Sequence, residues 1–103
     1  MLDRTAVQGF QWDFGNARKN DKHGVTQQEA EQVSLNQPVL LLEDVRHSGN
    51  EARFHALGQT SVGRMLHVAF TIRGAGTLIH VISARPMHRR ERIVYGQATE
   101  AHS

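Results

Sequence analysis

Six polar side chains alternate with apolar ones in three segments of the sequence. They are Arg53, His55, His67, Thr71, Arg73 and His80. Guanidinium groups bind phosphate oxygens through paired hydrogen bonds, and imidazoles exchange protons near neutral pH. If these side chains share one surface, that surface has the chemistry to bind and cleave a phosphodiester. The alternative is the ordinary solvated face of an antiparallel sheet, where any polar residue serves.

Strands must position these side chains, because successive side chains of a strand point to opposite faces of a sheet. We predict strands over residues 39–43, 51–59, 64–73 and 77–84, separated by polar or glycine-containing turns. Short links between successive strands favour an antiparallel meander. The apolar residues of the same segments would form the other face of the sheet and pack under helices.

The first part of the chain predicts one short strand and two helices. Aromatic residues alternate with polar ones at 10–12, which indicates the strand. Asp13 is a suitable N-cap for a helix over 14–23, and a glycine follows that helix. Thr26 begins a threonine–glutamate pair with the spacing of a capping box, which predicts a helix over 27–36.

The last part of the chain predicts a third helix and a tail. Pro86 suits the first helical position, and Gly96 would end this helix just after a tyrosine. We therefore expect a single α+β domain over 10–96, with a flexible N-terminus over 1–9 and a flexible tail over 97–103.

The composition indicates one modest domain without cysteine chemistry. The 103 residues are 39% hydrophobic, carry a net charge of +2 and include no cysteine, which excludes disulfides and thiolate metal sites. No histidine pair has the spacing of a zinc-binding helix, so we expect no metal and no cofactor. The N-terminus lacks the apolar stretch of a signal peptide, and the longest apolar run is far too short to span a membrane. We expect a cytoplasmic protein with no membrane partner.

The charges are unevenly distributed along the chain. Residues 85–92 contain four arginines and one glutamate, and a second basic group lies at 18–23. Such asymmetry favours a polyanionic partner, although an ordinary solvated surface would also account for it.

A series of short motifs runs in one order along most of the chain. They are Phe10-Gln11-Trp12-Asp13, Gly15-Asn16, Lys19, Lys22-His23-Gly24-Val25, Asp44, His47-Ser48, Glu51, Arg53, Gly58, Gly63-Arg64, Phe70-Thr71, Arg73, Ile82-Ser83-Ala84-Arg85, Met87-His88, Glu91 and Tyr95. In this order and spacing the chain resembles the BrnT family of type II toxin–antitoxin systems over about residues 10–95.

The resemblance implies a RelE-like fold, in which a small antiparallel β-sheet meander carries two N-terminal helices and one C-terminal helix. It also implies a metal-independent ribonuclease toxin that cleaves RNA and inhibits translation. A BrnA-like antitoxin would neutralise the toxin, and operator DNA would be contacted only through that antitoxin. The chain departs from the common family pattern at His80, where arginine is frequent, and in a first helix that is one residue shorter than in many members.

The motif matches and the polar sheet face together define the expected site. We expect catalytic roles for His23, Glu51, Arg53, Arg73, Arg85 and Tyr95. A base, either His23 or Glu51, would remove the 2′-hydroxyl proton while the three arginines stabilise the phosphorane. Tyr95 would stack on a base or donate a proton. The RNA would also be bound by Lys19, Lys22, Arg64, His80 and Arg89.

Several of these residues also have a structural explanation. Lys22 and His23 fall in the last turn of the first helix, where positive charge interacts favourably with the helix dipole. Arg85 could simply pair with Glu91, and Tyr95 lies on the apolar side of its helix. These alternatives stay open at the level of sequence.

Two other classes of function are compatible with the sequence. The first is a non-catalytic toxin-fold protein that binds RNA or an antitoxin without cleavage, which overexpression separates from an active toxin because only the toxin arrests growth. The second is a domain that binds a small molecule at the histidine-rich face. That domain would have a closed, apolar-walled pocket, whereas a toxin would have an open groove.

Overall fold

The computed structural model describes residues 9–11, 24–44, 52–73 and 78–100. The strands are β1 (Gly9–Gln11), β2 (Leu40–Glu43), β3 (Arg53–Gln59), β4 (Met65–Arg73) and β5 (Leu78–Pro86). The helices are α1 (Gln27–Leu35) and α2 (Arg89–Glu100). The expected α+β class is confirmed. The predicted helix over 14–23 lies outside the described residues.

The five strands form one sheet in the order β1-β5-β4-β3-β2. Strands β2 to β5 are successive antiparallel neighbours, as the short links between them predict. The expectation of a wholly antiparallel sheet is wrong, however, because β1 pairs with β5 in parallel. Parallel neighbours need a long connection, and here the intervening chain includes the whole β2–β4 meander.

Helix α1 begins at the predicted capping box. The Thr26 hydroxyl accepts the Glu29 backbone N–H at 3.1 Å, and the Glu29 carboxylate accepts the Thr26 N–H at 3.1 Å. The helix buries Ala30 and Val33 against the apolar sheet face. This face includes the buried side chains of Val68, Phe70 and Val81, so the main hydrophobic core lies between α1 and the sheet.

The C-terminal part corrects two sequence-based expectations. Pro86 ends strand β5 opposite Leu66 instead of opening the helix, a position at the end of a ladder where a missing N–H is tolerated. Helix α2 continues through Gly96 to Glu100, so the predicted helix end at Gly96 is wrong. Glycine in a helix interior costs about 1 kcal/mol relative to alanine, which burial of neighbouring residues can offset.

Helix α2 packs on the opposite sheet face from α1. Tyr95 of α2 is buried with Leu57 and Met87, and Leu40 and Met65 pack against this second cluster. The expectation that the helices cover only the apolar face is therefore incomplete, because α2 covers one end of the polar face. Within the described residues, neither helix combines the length and the apolar character that crossing a bilayer requires.

The close approach of α1 to the sheet depends on Gly58. A Cβ atom at this position would lie 3.1 Å from Val33 Cγ1 and 3.2 Å from the Val33 carbonyl oxygen. The backbone oxygen cannot move without displacing the helix. We expect Gly58→Ala to lower the free energy of unfolding by about 1–3 kcal/mol, the usual cost of overpacking, as measured by urea denaturation.

The matched control is Gly96→Ala in α2, where a Cβ would meet no atom within 4 Å. This variant should be more stable by about 0.5–1 kcal/mol, because alanine favours the helix. Equal effects of the two substitutions would contradict the packing explanation for Gly58.

Candidate nucleic-acid interface

Three polar residues form a row across the middle strands of the sheet. Arg53 of β3 is the register partner of Thr71 in β4, which is the partner of His80 in β5. Directly opposed residues project from the same face, and the Thr71 hydroxyl lies 3.4 Å from His80 Nδ1. All three are half-buried. The strand alternation thus predicts correctly that an arginine, a threonine and a histidine share one surface.

A chain of hydrogen bonds continues this surface toward α2. Asp44 follows β2, and its backbone N–H donates to the Arg53 carbonyl at 2.7 Å, which places it beside β3. Its carboxylate lies 2.9 Å from His55 Nε2. His55 Nδ1 lies 2.8 Å from His67 Nε2, with the ring centroids 4.9 Å apart. Asp44, His55 and His67 therefore form a continuous polar chain across β2, β3 and β4.

Burial keeps the inner end of this chain neutral. Desolvation by burial, followed by the nearby positive charge of Arg85, lowers the pKa of His67 to about 4. An ionised carboxylate only accepts hydrogen bonds, so His55 donates Nε2–H to Asp44. When His55 is neutral, its Nδ1 accepts the Nε2–H of His67. His67 Nδ1 then carries a lone pair, and this buried atom has no hydrogen-bond partner among the described residues.

A paired arginine and glutamate lie next to His67. Arg85, the register partner of His67, donates from its two terminal nitrogens to the two Glu91 oxygens at 2.7 and 2.9 Å. These hydrogen bonds are the main reason why the pKa of Glu91 falls to about 2. Glu91 also accepts the His88 backbone N–H at 2.8 Å, at the start of α2. The pair therefore fixes α2 to strand β5.

Arg85 reaches the polar face because β5 is irregular. His80 and Arg85 are five positions apart, and in a regular strand they would project from opposite faces. The register shifts between Ala69 and Phe70 of β4, which leaves Ile82 of β5 without a partner in the ladder. This β-bulge restores Arg85 to the face that carries His80.

A partly open groove of about 400 Å³ lies between the polar face and α2. Its walls combine aliphatic, imidazole and charged side chains, namely Leu42, His55, Leu57, His67, Arg85, Arg90, Glu91 and Val94. The groove is partly open, as expected of a toxin, and its exposed lining is mainly apolar, as expected of a small-molecule domain, so it shares one feature with each expected site.

Three predicted site residues, Arg64, Tyr95 and Arg85, donate hydrogen bonds to other groups of the protein. Arg64 donates to the Gly24 carbonyl at 2.7 Å and to the Glu29 carboxylate at 3.1 Å, so it stabilises the start of α1. Tyr95 is 1% exposed, and its hydroxyl donates to the Pro38 carbonyl at 2.7 Å. Burial also raises the Tyr95 pKa. Arg64 and Tyr95 therefore make structural contacts, and the RNA-binding role expected of Arg64 and the catalytic role expected of Tyr95 stay predictions. Arg85 is confirmed as a partner of Glu91.

The remaining predicted site residues differ in how much of them the structure describes. Arg89 is exposed in the first turn of α2. Four residues lie outside the described part of the chain, namely Lys19, Lys22, His23 and Glu51. Arg73 belongs to the backbone of β4, and its side chain is likewise outside that part.

Sequence reasoning assigned no role to Asp44, Leu42 or Val94. Leu42 and Val94 are large, exposed apolar side chains beside the polar face. They meet because α2 docks on the sheet, and the local sequence carries no signal for this contact. Asp44 follows an apolar strand, and this position in the sequence indicates a polar side chain at the end of the sheet. Among the described residues, no three histidine, aspartate or glutamate side chains form a group suited to a metal ion.

The burial of neutral His67 makes the stability of the protein depend on pH. The unfolded chain binds a proton at His67 below about pH 6.5, whereas the folded chain does so only near pH 4. The free energy of unfolding should therefore fall as the pH falls through this window. We expect a loss on the order of 2 kcal/mol, since one pKa unit corresponds to about 1.4 kcal/mol and partial solvent access reduces the effect.

The measurement is urea denaturation at intervals from pH 6.5 down to pH 4.5. Glu91 titrates near pH 4.5 in the unfolded chain, so the slope assigned to His67 is taken from the upper half of this range. His67→Leu should remove most of the slope. His88→Ala, which changes a side chain that is 72% exposed, is the matched control and should keep the wild-type slope. A slope in His67→Leu equal to that of the wild type would contradict the assignment.

Comparison with protein families identifies the family of this chain. A family described as "Ribonuclease toxin, BrnT, of type II toxin-antitoxin system" matches residues 12–91. No curated protein matches the chain. The matched segment includes the polar row, the histidine pair and the Arg85–Glu91 pair. Because the match covers most of the chain, the protein belongs to the BrnT family of ribonuclease toxins of type II toxin–antitoxin systems.

Proposed function

We propose that this BrnT-family toxin is a metal-independent endoribonuclease that binds the scissile phosphate over the row formed by Arg53, Thr71 and His80. The observation that carries the proposal is the register of β3, β4 and β5, which brings these residues to one face. Arg53 supplies a guanidinium for two phosphate oxygens, and the threonine hydroxyl and the imidazole supply further polar contacts.

Cleavage of RNA at the phosphate needs removal of a proton, formation of one P–O bond and cleavage of another. A base takes the 2′-hydroxyl proton, the 2′-oxygen forms a bond to phosphorus, and the bond from phosphorus to the 5′-oxygen breaks as that oxygen receives a proton. We retain His23 and Glu51 as candidates for the base and Arg73 as a second phosphate-stabilising cation. These assignments are supported by the motif resemblance.

Arg85 is held by a carboxylate. Both of its terminal nitrogens are bonded to Glu91, so a phosphate would have to displace a carboxylate in order to use the same donors. We therefore propose that Arg85 acts on the site through its contact with Glu91. Lys19, Lys22 and Arg89 would bind neighbouring phosphates of the RNA.

The type II system implies an antitoxin partner and an RNA substrate. We propose that a BrnA-like antitoxin neutralises this protein, that operator DNA is contacted only through the antitoxin, and that RNA cleavage inhibits translation in the cytoplasm. Growth arrest on induction, with rescue by the antitoxin gene, would support this set of proposals. Induction without arrest would favour the non-catalytic alternative.

The role of Arg53 can be tested by RNA cleavage with purified protein. Arg53→Ala should reduce the cleavage rate roughly 100-fold, the effect typical of removing one donor to a developing negative charge. Cleavage of the same RNA with a chelator present should proceed at the wild-type rate. The readout is the rate of product formation from a labelled single-stranded RNA.

Arg92→Ala is the matched control, because Arg92 lies on α2 and donates to the Met87 carbonyl at 2.8 Å, away from the polar row. It should cleave close to the wild-type rate. Full cleavage by Arg53→Ala, with the fold intact by circular dichroism, would remove the polar row as the catalytic surface.

A further inference from the structure

The groove beside α2 contains apolar side chains that have no role in the proposed binding and cleavage of the phosphate. Leu42, Leu57 and Val94 supply aliphatic contact area inside it. Leu42 and Val94 are 46% and 41% exposed, although both are large hydrophobic residues. Exposed apolar side chains that converge in a concave site commonly bind an apolar group of a ligand.

The polar groups of the groove are arranged around this apolar area. The tilted imidazoles of His55 and His67 form one wall. The negative charge of Glu91 is balanced by Arg85, and Arg90 lies exposed at the groove. The groove thus combines an imidazole wall and aliphatic contacts with a cation, which are elements of a binding site for single-stranded nucleic acid.

The groove is continuous with the polar row. His55 follows Arg53 by two residues on β3, so their side chains lie on one face at a separation of about 7 Å along the strand. A nucleotide with its phosphate over Arg53 therefore has the groove within reach of its base. A peptide segment could use the apolar area too, with an acidic side chain at Arg53, and the antitoxin experiment below distinguishes that occupant from RNA.

We propose that this groove is a nucleobase subsite, which takes one unpaired base of the RNA between α2 and the histidine wall. The inference rests on the proposed function, because the polar row supplies the adjacent phosphate contact. Leu42 and Val94 contact the face of the base, and Arg90 binds a neighbouring phosphate. The subsite selects single-stranded RNA, because a base within a duplex cannot enter the groove.

The test measures how much one base contributes to binding. The probe is a short single-stranded 2′-O-methyl RNA, which cannot be cleaved, and a set of matched probes in which one position at a time is abasic. Wild-type protein should bind one abasic probe roughly 10-fold more weakly than the complete probe, the effect of losing one stacked base. The other abasic probes should bind nearly as well as the complete one.

Two tryptophan substitutions, one in β2 and one in α2, would each fill the groove with a large side chain. Leu42→Trp and Val94→Trp should each weaken binding of the complete probe roughly 10-fold and make the protein insensitive to the critical abasic position. Ile93→Trp is the matched control, since Ile93 is 51% exposed on the same helix and does not line the groove. It should keep the wild-type response to all probes. Thermal unfolding verifies that each variant is folded.

The outcomes separate this inference from the proposed function. Base-dependent binding without cleavage by wild-type protein would support the subsite and remove the nuclease proposal. Cleavage with no position sensitive to base removal would overturn the subsite and leave the nuclease proposal intact. If the filled variants bind and cleave RNA normally but escape neutralisation by the co-expressed antitoxin, the groove belongs to a protein partner and the subsite is overturned.

Discussion

The register of β5 against β4 shifts by one residue at Ile82, and the composition of the polar face depends on this shift. Before the bulge, His80 projects beside Thr71. After it, Arg85 projects beside His67 and meets the first turn of α2. If β5 ran through Ile82 as a regular strand, Arg85 would point into the apolar layer under α1. The bulge therefore allows one sheet face to carry both the polar row and the anchor of the C-terminal helix.

The strand alternation allowed much of this arrangement to be predicted from sequence. Period-two patterning correctly separated Phe54 and Val68 from Arg53 and His55, because the burial of one face fixes the register. The capping box at Thr26 was also sufficient to locate the start of α1. Both signals are local, and both involve interactions between residues that are close in the chain or directly opposed.

The features that could not be predicted are set by tertiary packing. The end of α2 beyond Gly96 is one example, because glycine disfavours a helix by only about 1 kcal/mol and the preceding Tyr95 is buried against the sheet. The groove is another, because Leu42 and Val94 are 52 residues apart and meet only after α2 docks on the sheet. The bulge is another, because no glycine marks it in the sequence of β5.

Helix α2 is bound to the sheet at two points of its first two turns. Glu91 is held by Arg85, and Tyr95 is held by the Pro38 carbonyl. The groove wall between these anchors, which includes Val94, is therefore preorganised. A ligand that enters such a site loses its own freedom but does not have to order the protein, so more of the contact energy is expressed as affinity. A ligand would then enter and leave the groove while helix α2 stays folded and docked on the sheet.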